Sequence, residues 1–208
     1  MQRRNSIQFL GLPGSGKTTR IQELITRFPG TYVVPPKLSK IQRVWFFLVF
    51  TFRFPVLNFR LLAFLFSNPW KLWRYLLHLY SYSVAVHMYA LAHPSQFFII
   101  DEGIFQRVLS VAPRQLSYSQ IQSISQLIPR VFGVVVVMNG GSFSRFVAEP
   151  DKMTNPRNQM GVAYFDTWVA AVTANFSLLE ESVLKNSRGV RGTGLTTDEL
   201  HAALQRYM

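Results

Sequence analysis

Gly11-Leu12-Pro13-Gly14-Ser15-Gly16-Lys17-Thr18 constrains this chain more than any other stretch, because it matches the pattern G-x-x-x-x-G-K-[ST] in full. Each position has a physical reason. Gly11, Gly14 and Gly16, with Pro13 and Ser15 between them, let successive backbone N–H groups turn inward around a phosphate chain, since no Cβ blocks the dihedrals required. A helix beginning near Gly16 adds its positive dipole end. Lys17 is placed to reach the β- and γ-phosphates, the Thr18 hydroxyl to ligate Mg²⁺, and Thr19 stands beside them in the binding turn. The flanks agree: residues 6–10 read as a short buried strand, and Ile21, Leu24, Ile25 and Phe28 share one face of a helix that Pro29-Gly30 stops. A chance match in a glycine-rich turn would lack both flanks.

The alternation continues along the chain. A second strand is predicted at 31–34, closed by Pro35-Pro36, then two or three helices over 37–93, the last starting at Asn68-Pro69 and ending at His93-Pro94. Residues 97–100 read as an apolar strand ending in Asp101-Glu102-Gly103. Helices follow around 104–111 and 118–128, the second entered by Ser117 with Gln120 three residues on, a capping-box pattern. Residues 131–138 form the clearest buried strand, and 139–160 is polar and rich in Gly, Asn and Pro. The next helix places Val162, Phe165, Val169, Val172, Phe176, Leu179 and Val183 on one apolar face. A weak strand near 188–191 precedes a last helix capped by Thr196, with Leu195 and Leu200 set for a hydrophobic staple. Strands alternating with helices predict a single α/β domain over 1–208, with a central parallel sheet of about five strands and helices on both faces.

Ligands of parallel α/β proteins bind at the carboxyl ends of strands. Asp101 stands at such an end and suits the second metal-side carboxylate of a phosphate-loop site. Glu102 is a candidate to accept a proton from a substrate hydroxyl or from water, or to bind substrate. A helix cap or solvated turn is the plain alternative for the pair. Gly103 allows a close approach by backbone or substrate.

With these residues in view, the chain resembles the kinase-type branch of the P-loop NTPases, the group that includes nucleoside monophosphate, thymidylate and deoxynucleoside kinases. The resemblance covers the order of elements across most of the chain: phosphate loop, helical substrate-side region at about 37–93, apolar strand with an acidic end, and lid at about 139–160. It implies a P-loop fold, ATP and Mg²⁺ as cofactors, and γ-phosphoryl transfer to a small-molecule acceptor. Lys17 and Thr18 would hold phosphate and metal, Asp101 would support the metal, Glu102 would orient the acceptor, and Arg145 or Arg157 would close from the lid beside Lys152. Three departures leave the acceptor open, the first being a lid with fewer arginines than the group's usual one. The strand before the lid ends Met138-Asn139-Gly140-Gly141 with no acidic residue, and Glu102 stands where thymidylate kinases carry Arg. An ATPase or nucleotide switch, with Glu102 polarising water and a basic aromatic segment docked on a membrane or partner, is the alternative.

The net charge of +12 implies anionic partners, whether nucleotides, phosphorylated metabolites, nucleic acid or an acidic membrane surface, and its distribution is uneven. No acidic residue occurs between Glu23 and Asp101, whereas Lys37, Lys40, Arg43, Arg53, Arg60, Lys71 and Arg74 all lie there. Arg53, Pro55 and Arg60 interrupt the apolar runs of residues 41–66, leaving pieces of about half the roughly 20 residues a spanning helix needs. The block therefore reads as core and substrate-lobe helices, or as a peripheral helix at an anionic membrane surface. Its aromatics are too crowded with aliphatics for a nucleic-acid stacking platform. His78, His87 and His93 lack metal-ligand spacing and read as ordinary polar positions. With no cysteine, and no signal-peptide pattern after Met1-Gln2-Arg3-Arg4, the expectation is a cytoplasmic protein, peripheral at the inner face of a membrane if the basic block docks there.

Overall fold

Strand β1 (Ser6–Gly11) runs through the middle of the molecule with all six residues buried. A computed structural model describes residues 5–66, 73–101, 103–106, 114–131, 133–140, 162–185 and 189–207. After β1 come α1 (Lys17–Arg27), β2 (Tyr32–Val33), α2 (Lys40–Arg53), α3 (Pro55–Phe66), α4 (Trp73–Ala92), β3 (Phe97–Ile100), α5 (Tyr118–Val131), β4 (Val134–Met138), α6 (Val162–Leu184), β5 (Gly189–Arg191) and α7 (Thr197–Gln205).

The five strands form one sheet in the order β2-β3-β1-β4-β5, and every pairing is parallel. A parallel sheet is covered on both faces, and β3 and β4 accordingly read as unbroken apolar runs. The pleat sorts them: Val135 and Val137 join Leu10, Ile104, Phe165 and Phe176 in one core cluster. Val134, Val136 and Met138 join Ile7, Phe9, Ile21, Leu24 and Leu200 in another. The first face is covered by α2 to α6 and the second by α1 and α7, which is the two-sided arrangement expected.

Local signals explain most boundaries. Thr196 and Glu199 cap α7 reciprocally, and Ser117 and Gln120 do the same before α5. A third capping box, Ser39 with Gln42, starts α2. Pro55 opens α3, and its ring keeps Phe54 out of the helical region (φ −134°, ψ 57°). The chain therefore bends by 111° between α2 and α3. The strand expected from 131 begins at Val134, because α5 continues through Pro129 to Val131. Proline in a last turn forfeits one hydrogen bond without ending the helix there. The expected start at Asn68-Pro69 and most of the helix around 104–111 lie outside the described residues.

Buried polar groups fasten the helices. Asn5 Nδ2 lies within hydrogen-bond distance of the carbonyls of Ala90, His93 and Gln96, tying the end of α4 to the start of β1. Tyr80 donates to Asn58, whose amide donates to Thr51 Oγ1 at 2.9 Å, linking α4, α3 and α2. Burial pushes the Tyr80 phenol well above its ordinary value, so it remains a donor. His87 is not an ordinary polar position: it is wholly buried in α4, and burial lowers it to about 3, which keeps it neutral.

Candidate functional site

The site is built where the sheet order reverses. The chain leaves β1 toward the β2 edge and leaves β4 toward the β5 edge, so their carboxyl ends open a crevice between diverging connections. Gly11 and Met138 are paired at that point. A Cβ on Gly11 would stand 2.5 Å from the Met138 carbonyl oxygen and 2.6 Å from Ser15 Oγ, so only glycine lets the loop fold this close to β4. Gly14 and Gly16 have φ of 76° and 83°, in the left-handed region that glycine adopts without strain. Gly16 then serves as the N-cap of α1 with no side-chain cap, which leaves first-turn N–H groups directed toward the loop mouth.

Lys17 curls back over this loop. Its ammonium donates to the Gly11 carbonyl at 2.6 Å, to the Leu12 carbonyl at 3.0 Å and to Ser15 Oγ at 3.4 Å. The loop is thus lined by a glycine-bracketed backbone, a helix N-terminus and a cation, an arrangement suited to a phosphate chain. Pro13 is half-buried within the loop, while Thr18 and Thr19 are exposed in the first turn of α1.

Asp101 joins this group from the end of β3. Thr18 Oγ1 donates to Asp101 Oδ2 at 3.1 Å across 83 residues of sequence. Asp101 Oδ1 is buried and has no hydrogen-bond partner among the described residues. A hydroxyl oriented by a carboxylate, beside a second oxygen with spare acceptor capacity, fits the support of Mg²⁺. That ion is commonly held through one or two carboxylates and phosphate oxygens rather than an all-protein cage. Among the described residues no three His, Cys, Asp or Glu side chains cluster as a metal site. Glu102, Arg145, Lys152, Arg157 and the lid beyond Gly140 lie outside the described residues.

Five residues not foreseen as site components are also brought here. Gln106 accepts from the Gly11 N–H at 3.2 Å, bracing the start of the loop from the segment after β3. Gln8, paired with Ile100 at the end of β3, is buried, and a Cβ on Gly103 would lie 2.2 Å from its side chain. The close approach expected at Gly103 is therefore made by Gln8. At the end of β4, Asn139 donates to Glu180 Oε1 at 2.6 Å, and Arg191 lies 4.0 Å from the same oxygen. A carboxylate thus does stand at the end of β4, supplied by α6 instead of by the strand. Its sequence signal was slight: Glu180 directly follows Leu179 on the buried stripe.

A groove of roughly 1240 Å³ opens beside Thr18 and Thr19, between α1 and the turn that caps α7. Arg20 spans its floor, donating to Glu23 Oε2 at 3.0 Å and Thr197 Oγ1 at 2.9 Å. Arg27 pairs with Asp198 farther along. The groove begins at Thr18 and Thr19, in the first turn of α1 directly after the loop.

No protein-family model and no curated protein sequence significantly matches this chain.

Proposed function

We propose that this chain is an ATP- and Mg²⁺-dependent phosphotransferase with a P-loop fold, acting on a small-molecule acceptor. The observation that carries the reading is the meeting of Thr18 with Asp101 at 3.1 Å, next to the glycine loop and the Lys17 ammonium. Two elements distant in sequence thereby converge at the carboxyl end of a parallel sheet, where phosphate-binding chemistry is expected. The strand order, with β1 between β3 and β4, is consistent with the fold.

The residues divide the work. Backbone amides of the 11–18 loop and the α1 N-terminus hold the phosphates, and Lys17 moves from the loop carbonyls onto phosphate oxygens. The groove between α1 and the α7 cap takes the remainder of the nucleotide. Thr18 and Asp101 hold Mg²⁺, which when bound neutralises charge on the phosphates. Glu102 orients the acceptor and Arg145 or Arg157 closes from the lid. Such catalysis consists of positioning and charge stabilisation more than covalent chemistry.

ADP release from Mg-ATP, measured with and without a panel of nucleosides, nucleoside monophosphates, sugars and lipid-linked alcohols, tests the reading. ADP formation that rises with one acceptor class and disappears in Lys17→Ala, with the melting temperature retained, is the expected result. Unchanged turnover in Lys17→Ala would refute the site. Phosphate release at the same rate with every acceptor would replace the transferase by a hydrolase.

A further inference from the structure

The surface of α2 and α3 carries a pattern the nucleotide reading leaves unused. On α2, Ile41, Val44, Trp45, Leu48 and Phe52 follow one another at steps of one to four residues along a single helical face, and all are exposed. Trp45 is 64% and Phe52 84% exposed. On the opposite side Phe50 is buried, with Phe46, Phe47 and Val49 packed against the core. The same holds for α3, where Val56, Phe59 and Phe66 are exposed while Leu57 and Leu61 are buried. An ordinary surface helix has a polar outer face, and these two have apolar ones. Scattered exposed hydrophobes need no explanation, whereas a contiguous stripe does.

Charge and shape narrow the occupant. Lys37, Lys40, Arg53 and Arg60 are exposed on or beside the two helices, and neither helix carries an acidic residue. A second copy of the chain would bring like charges together, while a surface of anionic headgroups complements them. Among the described residues no single helix is long and apolar enough to cross a membrane. α2 and α3 meet that measure only together, and their 111° bend suits lying in an interface. Between α2 and α4 a groove of roughly 410 Å³ is lined by Val44, Phe47, Leu48 and Leu77, with Lys40 also among its lining residues. An apolar slot beside a cation matches an acyl chain beneath a phosphate headgroup.

We propose that the α2–α3 elbow docks on an anionic lipid bilayer. Trp45, Phe52 and Phe59 enter the boundary between headgroups and acyl chains, and Lys40 and Arg60 sit at phosphate level. The docking is separate from nucleotide chemistry and does not depend on it.

Co-sedimentation of the full chain with phosphatidylcholine vesicles, with and without phosphatidylglycerol, tests this. Pelleting is expected with the anionic vesicles and weakens as salt rises. Lys40→Ala with Arg60→Ala lowers the partition coefficient about fivefold per charge removed. Trp45→Ser with Phe52→Ser and Phe59→Ser lowers it by at least about tenfold. These side chains are exposed, so far-UV circular dichroism and melting temperature remain those of the wild type. Lys17→Ala pellets like the wild type. Failure of the wild type to pellet at low salt overturns the proposal, as does full binding by the triple aromatic variant. Sedimentation velocity supplies the other arm: a dimer that the aromatic variant converts to monomer would assign the stripe to a second copy.

Discussion

Replacing Asp101 with Asn retains the shape of the side chain and removes its charge. Thr18 Oγ1 donates to Asp101 Oδ2 at 3.1 Å, so the carboxylate orients the hydroxyl and leaves its lone pairs for the proposed Mg²⁺. A hydrogen bond to an ionised group contributes about 1.5–3 kcal/mol, which is about 10- to 150-fold in an equilibrium constant. Groups that orient a metal ligand typically account for about 10- to 100-fold in metal affinity or activity. Asp101→Asn is therefore expected to raise the Mg²⁺ concentration for half-maximal ADP formation by one to two orders of magnitude, by about that factor. Saturating Mg²⁺ restores much of the rate, because Lys17 and the loop amides are untouched. Thr18 is exposed, Asp101 is half-buried with one oxygen enclosed, and the substitution removes a charge while retaining the shape, so stability changes by about 1 kcal/mol, or roughly 2–4 °C in Tm. The assay is ADP formation across a Mg²⁺ titration, with thermal melts in parallel. A Mg²⁺ midpoint within about twofold of wild type would show that Asp101 has no part in holding the metal.

Three further outcomes follow from the fold. Gly11→Ala drives a Cβ to 2.5 Å from the Met138 carbonyl, a backbone atom in the central ladder. The variant loses about 1–3 kcal/mol in urea denaturation and binds ATP more weakly, since the loop is pushed off β4. Burial lowers His87 to about 3, below its unfolded value of about 6.5, so its contribution is complete above pH 6.5 and declines as pH falls toward 3. The unfolding free energy from urea denaturation should fall between pH 6.5 and 5, its slope approaching about 1.4 kcal/mol per pH unit at the lower end, and His87→Gln should flatten it. Tyr80→Phe strands the Asn58 side-chain oxygen between α3 and α4, costing about 1–3 kcal/mol, readable as a lowered Tm. An unchanged Tm would mean that the oxygen finds another partner.

The local grammar of this chain is strong because it depends on neighbours in sequence. The 11–18 motif requires only a glycine at each left-handed or crowded position and a helix behind it, and Gly11, Gly14 and Gly16 meet those needs. Capping at Thr196 and Ser117 depends on residues three apart, and both caps form as their spacing requires. Strand signals alternating with helices are enough to predict a parallel sheet, and the apolar runs of β3 and β4 are its clearest members, since such strands are covered on both faces. Even Asp101 could be placed from its position at a strand end, before its contact with Thr18 was known.

Other features belong to tertiary structure because they join residues far apart in the chain. Gln8 under Gly103, Gln106 on the Gly11 amide and Glu180 at the end of β4 are products of sheet order and helix docking, which no local pattern encodes. The 37–93 block is the sharpest instance. Its helices are apolar on nearly every side in sequence, so periodicity could not say which face the core would take. Packing of α2 against α4, and of α3 against α4 and α5, resolves this. Phe50, Leu57 and Leu61 go inward and Trp45, Phe52 and Phe59 face out, because a core of fixed size can cover only one side of each helix.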